Sequence, residues 1–175
     1  PLSVGFHYPG HGKQGGATEY LWPHDNSFIA DNNLAGQLRK LKGQAWVDIS
    51  GCEAAGFDEG ISSPSRLFTA SSKANEKSYE IPDLHQSVFT LLQVEKALIN
   101  GEGDANRDGR VSVQEAFAFA AARAPQLTAG HSQAAQHPGM PRWDVPPPFL
   151  DPLPAPPPHA PRAQRSTRFR ASSPS

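Results

Sequence analysis

The chain has 175 residues, with 16 Lys and Arg against 17 Asp and Glu, a length that suits one core-forming domain with an appended segment. A near-neutral charge lacks the basic excess of a dedicated nucleic-acid binder, and no apolar run approaches the ~18 residues of a membrane-spanning helix, so neither nucleic acid nor membrane is expected as a partner. The single cysteine, Cys52, excludes an intrachain disulfide.

In chain order, residues 2–8 (LSVGFHY) form a short β-prone run stopped by Pro9-Gly10. After a glycine-rich loop, Leu34, Leu38 and Leu41 recur at helical spacing behind Asp31-Asn32-Asn33, which offer capping side chains. Gln44–Ser50 (QAWVDIS) reads as a second strand and residues 66–71 (RLFTAS) as a third. Leu84, Val88, Leu91, Leu92 and Leu98 mark a helix over 84–99 that Asp83 can cap, and a last helix is expected over 113–124. Strands alternating with helices predict an α/β layer fold with a mostly parallel sheet. In such sheets ligands sit beyond the carboxyl ends of the strands. Residues 1–140 are expected to form this domain. Eleven of the 18 prolines fall in 141–175, a composition that offers too little apolar surface to offset the entropy of ordering. That tail is expected to be disordered or partly polyproline II, either a solvated end or a ligand for a proline-reading partner.

The first strand is followed by Gly10-His11-Gly12, where glycines let the backbone turn sharply and leave the ring and amides accessible. The second strand leads into Gly51-Cys52-Glu53. A thiolate is a strong nucleophile, an imidazole can take its proton, and the amides of Gly12 and Cys52 can face an oxyanion. The plain alternative is that Cys52 is a small buried apolar residue.

The run His7-Tyr-Pro-Gly-His11-Gly12, then Tyr20-Leu-Trp-Pro-His-Asp25, then Trp46-Val-Asp-Ile-Ser-Gly-Cys52-Glu-Ala-Ala-Gly-Phe57 resembles the caspase-like cysteine peptidases, above all the bacterial caspase-family and metacaspase-like proteins. Leu67-Phe-Thr-Ala-Ser-Ser72, with Ser78-Tyr79-Glu80 behind it, is similar to that family's next strand and loop. The resemblance spans about residues 1–140 and implies a three-layer caspase-like fold. It implies a dyad of His11 as general base and Cys52 as nucleophile, with Gly12 and Cys52 amides as oxyanion donors. The reaction is then hydrolysis of a protein or peptide substrate through an acyl-enzyme, with no cofactor in the chemistry. The family often has an acid two residues before the cysteine, where Ser50 stands here, Ser where Pro9 stands, and Ser where Ala54 stands. Asp48, on the same strand face as Ser50 and Cys52, is either a pocket residue or a satisfied structural carboxylate. Glu53 is similar to the residue at that place in the legumain-like peptidases. Asp48, Ser50 and Glu53 are therefore the candidate substrate-pocket positions. The family sheet has two further strands before the His-bearing one, which implies a shortened start at Pro1, an unpaired edge and poor folding of this chain alone.

Asp104-Ala-Asn106-Arg-Asp108-Gly109-Arg110-Val-Ser112-Val-Gln-Glu115 fits D-x-[DN]-x-[DN]-G-x5-E at every fixed position. Oxygens of Asp104, Asn106 and Asp108 converge in such a loop, Arg110 offers its carbonyl, Ser112 acts directly or through water, and Glu115 closes the shell with two oxygens. This predicts a Ca2+ site of EF-hand type, structural or regulatory. Ser112 and Glu115 are equally a capping box for the last helix, so a plain solvated turn is the alternative. His7 and His24 are read as packed or surface histidines, and His131 and His137 lie six apart in a polar stretch with no Cys or carboxylate to complete a metal set. Neither a P-loop nor a dinucleotide fingerprint is present.

Overall fold

A computed structural model of the chain describes residues 3–129, 135–141 and 153–154. The expected parallel sheet is present as three strands, β1 (Ser3–Pro9), β5 (Gln44–Ser50) and β6 (Arg66–Ala70), in the order β1-β5-β6. The register sets His7 beside Asp48 and Asp48 beside Thr69. β1 lies at the outer position and pairs on one side with β5. On its far side, β6 is met by Gly139, which exchanges backbone hydrogen bonds with Ala70 at 2.8 and 2.9 Å.

Adjacent residues of β6 point into different apolar clusters, as the period of two requires. Phe68 packs with Val47, Ile49, Leu34, Leu38 and Phe57 on one side. Leu67 packs with Val88, Phe89, Phe117, Ala120 and Met140 on the other. The sheet is thus covered on both faces, which is why its central strand buries consecutive residues, Val47 to Ser50, and not alternate ones.

Between β1 and β5 the sequence suggests only a glycine-rich loop, and the structure has a second sheet there. β2 (His11–Gly15), β3 (Thr18–Trp22) and β4 (Ile29–Ala30) form an antiparallel meander. β2 is hidden from pattern reading because four of its five residues are exposed and none is apolar. α1 (Asp31–Leu38) follows. Asp31-Asn32-Asn33 form its first turn and do not cap it; the cap position is Ala30, with no side-chain bond. Leu34 and Leu38 are buried, whereas Leu41 lies past the helix end and is 37% exposed.

The helix expected from residue 84 begins later. Pro82–Leu84 is a short 3-10 turn, His85 is left-handed at φ 53°, and β7 (Glu80–Ile81) pairs with β8 (Gln86–Ser87). These two residues are consumed in sheet pairing, so Ser87 rather than Asp83 caps the helix, accepting from Thr90 N–H at 3.0 Å. α2 (Val88–Thr90) continues as a π-helical stretch, Leu91–Ile99, ending with Asn100 N–H donating to Glu95 O at 2.9 Å.

α3 (Val113–Ala129) runs beyond the expected end and carries Pro125 within it. Before it, β9 (Arg110–Val111) pairs antiparallel with β10 (Leu153–Pro154), so these two residues of the proline-rich tail are paired. The rest of that tail after Pro141 lies outside the described residues. No described helix is long and apolar enough to cross a membrane.

Candidate functional site

The carboxyl ends of β1 and β5 lie side by side, Pro9 beside Ser50. Both chains then turn across each other. Gly10 N–H donates to Ser50 O at 3.0 Å. A Cβ on Gly51 would stand 2.5 Å from Gly10 O, and one on Gly12 would overlap the carbonyl oxygen of Cys52. Gly12 after His11 and Gly51 before Cys52 are required by this main-chain approach, while a Cβ on Gly10 would meet the Tyr8 ring. It delivers His11 and Cys52 to one cavity of ≈ 270 Å³, whose wall also includes Ser50, Ser78, Glu80 and Ser87.

Cys52 is partly buried, and its sulfur lies against the backbone of Ser78, with the N–H at 3.5 Å and the carbonyl at 3.8 Å. Its loop is held by the residues that follow β6. Gly51 N–H donates to Ser71 Oγ at 3.0 Å, Ser72 Oγ donates to Gly51 O at 3.0 Å, and Ala54 N–H donates to Ser72 Oγ at 3.2 Å. Glu53 adopts a left-handed φ of 59°, a conformation costing of order 1–3 kcal/mol for a non-glycine residue. It is held there by its N–H to Glu76 O at 2.8 Å and by its carboxylate, which accepts from Gln14 N–H at 2.9 Å and Lys77 Nζ at 3.0 Å. The hydrogen bond and charge of Glu53 push the Lys77 ammonium pKa up. Glu53 therefore ties the cysteine loop to β2 and does not line the cavity.

His11 opens β2 and is exposed. Tyr8 O–H donates to its carbonyl at 3.1 Å, and its ring lies 6.3 Å from that of Trp22. Burial pushes the Tyr8 phenol pKa up, so the donor stays protonated. Among the described residues no hydrogen bond joins the imidazole to the thiol, and the shared cavity lies between them.

The three pocket candidates separate. Ser50 lines the cavity, and its hydroxyl lies 2.6 Å from Ser87 Oγ. Asp48 does not line it. Its carboxylate is 1% exposed and lies 2.6 Å from His7 Nδ1, with Thr69 Oγ1 donating at 2.5 Å. Thr69 accepts in turn from Trp46 Nε1 at 2.8 Å. Asp48 is thus consumed by its neighbours on both adjacent strands, as a satisfied carboxylate. Glu80, Ser78 and Ser87 were not foreseen as site residues. Ser78 and Glu80 fall in the Ser78-Tyr79-Glu80 stretch, and Ser87 carried no sequence signal.

The acidic loop folds on its own amides. Asp104 accepts from Asp108 N–H at 3.2 Å and Gly109 N–H at 3.0 Å, Asn106 Oδ1 from Asp108 N–H at 2.8 Å, and Asp108 Oδ1 from Arg110 N–H at 2.9 Å. Gly109 has φ 84°, the left-handed turn expected of it. Glu115 reaches back from α3, accepting from Asn106 N–H at 3.3 Å with one oxygen and from Ser112 N–H at 2.9 Å with the other. Glu115 N–H donates to Ser112 Oγ at 3.2 Å, which completes the capping box. The donor set is all oxygen, as a hard cation requires. Among the described residues no three His, Cys, Asp or Glu side chains are drawn together around a metal-sized centre. His131 lies outside the described residues, and His137 Nδ1 lies 3.0 Å from Glu76. No protein-family model and no curated protein sequence matches this chain.

Proposed function

We propose that the chain is a cysteine endopeptidase of the caspase-like class, with Cys52 as nucleophile and His11 as the proton carrier. One observation carries the reading: two glycine-packed turns at the ends of adjacent parallel strands bring these side chains, 41 residues apart in sequence, to one cavity. Sulfur attacks the scissile carbonyl carbon, the amides of Gly12 and Cys52 face the oxyanion, and His11 hands the thiol proton to the leaving nitrogen. Water then hydrolyses the thioester. Ser50, Ser87 and Glu80 shape the pocket for the residue before the cut. The caspase-like layering fits the parallel sheet covered on both faces.

Asp104, Asn106, Asp108, the Arg110 carbonyl, Ser112 and Glu115 hold Ca2+ in this reading, which neutralises the loop and fixes the approach to α3. The contact of the thiol with Ser78 O favours one competing reading, a non-catalytic binding module of the same fold. Alkylation of Cys52 by iodoacetamide at pH 7 separates the two. The peptidase reading expects a rate above that of glutathione, lowered about 10-fold or more in His11→Ala. A sluggish rate that His11→Ala leaves unchanged favours the binding module.

A further inference from the structure

The cavity that holds Cys52 ends at His11, and a second, larger one begins there. It measures ≈ 450 Å³ and is walled by Tyr8, Pro9, Trp22, Pro23, His24 and Asn26. The two cavities have only Gly10 and His11 in common, so they adjoin at this glycine–histidine turn. The wall of the second cavity is built in advance. The Trp22 indole is 40% exposed, yet its Nε1–H donates to Asn26 Oδ1 at 2.6 Å, and Phe28 packs against it with ring centres 5.3 Å apart. Asn26 holds a left-handed φ of 59°, which turns the loop so that this bond forms. Lys13 Nζ lies 5.7 Å from the Trp22 ring centre and 5.5 Å from that of Phe28, a positive charge beside the aromatic wall.

Acyl transfer to a thiol fixes which end of a substrate passes this way. The sulfur–carbon bond forms, the carbon–nitrogen bond breaks, and the imidazolium gives its proton to the departing nitrogen. That nitrogen must sit at the imidazole, so the chain it carries continues on the side of His11 away from sulfur. That side is the second cavity. Resting on the peptidase reading, we propose that the Trp22 cavity is the subsite for the leaving-group side of the peptide, taking an uncharged aromatic or bulky apolar side chain just after the cut. The two prolines and the indole supply apolar contact, and Lys13 disfavours a basic residue there. Trp22 sets this preference.

The reverse reaction isolates the subsite. An amine added to the acyl-enzyme attacks the thioester, loses its proton to His11 and releases the thiolate, so capture competes with hydrolysis. The acyl donor is the best substrate from a panel of N-acetyl dipeptide ethyl esters, and the acceptors are the amides of Phe, Leu, Gly and Lys at equal concentration. Mass spectrometry reads the ratio of captured to hydrolysed product. Phe and Leu amides are expected to be captured about 10-fold more efficiently than Gly amide, with Lys amide lowest. Trp22→Ala is expected to bring the Phe-to-Gly ratio close to one; because the ratio is internal to each preparation, loss of folded protein does not alter it. Equal capture of Phe and Gly by the unaltered protein, or a ratio untouched by Trp22→Ala, overturns the subsite while leaving the peptidase reading intact. Failure to consume any ester overturns both.

Discussion

Glycines at the crossing of the two strand exits decide whether a site exists at all. The atom facing Gly12 is a main-chain oxygen, that of Cys52, so a methyl group cannot be accommodated by a rotamer change. Gly12→Ala is expected to cost about 1–3 kcal/mol and to slow Cys52 alkylation, whereas Gly5→Ala, with nothing within 4 Å of the added carbon, should stay within about 0.5 kcal/mol. Urea midpoints check both. Behind β2 lies a buried acid, Glu19, which accepts from Gln14 Nε2 at 3.2 Å and is 6% exposed. Burial, then the carboxyl of Asp31, pushes its pKa above the usual 4.5. Folding therefore disfavours the charged form: the stability this carboxyl contributes is present at low pH and lost as pH rises through the raised value. Glu19→Gln, which keeps a donor toward Asp31, is expected to raise the urea midpoint at pH 7.5, with the gain fading toward pH 4. An unchanged difference across that range contradicts the assignment. At this scale the sequence anticipated that His11 and Cys52 follow neighbouring strands and that Gly109 makes a left-handed turn. At Asp48 it left two readings open, because strand period puts 48, 50 and 52 on one face but is silent on His7 and Thr69, the cross-strand neighbours that occupy the carboxylate and decide for the structural one.

Elements were legible where burial stamped a period on them. Val47, Ile49, Leu67 and Phe68 are all at most 1% exposed, and the strands that carry them were read to within a residue. β2 left no stamp, since its residues are mostly exposed, and the hairpin it forms was seen only as glycine-rich text. The helix expected from residue 84 failed for a different reason. Leu84 fits the helical spacing, but Pro82 and the left-handed His85 break the chain there and the β7–β8 pairing takes the next two residues. The acidic loop is the element with a ligand at stake. Its carboxylates accept loop amides, so a cation would have to draw the Asp104, Asp108 and Glu115 oxygens together from these bonds. Added Ca2+ is expected to raise Tm by several degrees, consistent with a shift of about 1 kcal/mol or more, and Asp104→Ala with Glu115→Ala should abolish the rise. Calorimetry with and without a chelator measures it, and no rise in the unaltered protein leaves Ser112 and Glu115 as a capping box alone.

For the whole molecule, alternating strand and helix text was enough to place a parallel sheet, and the site stands where such sheets bind ligands, beyond the carboxyl ends of the strands. The closing of that sheet was not legible. Residues 135–141 have no periodic pattern, yet Gly139 bridges Ala70, and the buried Gln136 donates to Ser71 O at 2.8 Å and accepts from Tyr79 N–H at 2.9 Å. Those bonds connect the end of the domain to the serines that hold the Cys52 loop, a dependence set by partners 57 and 65 residues apart. The most direct test of a peptidase built on Cys52 and His11 is exposure of the protein to a diverse peptide library, with products read by mass spectrometry beside Cys52→Ala. Internal cuts by the unaltered protein, none by the variant, and an acyl group trapped on Cys52 are the predicted result. A library left uncut by folded protein, or cuts that survive Cys52→Ala, would contradict it.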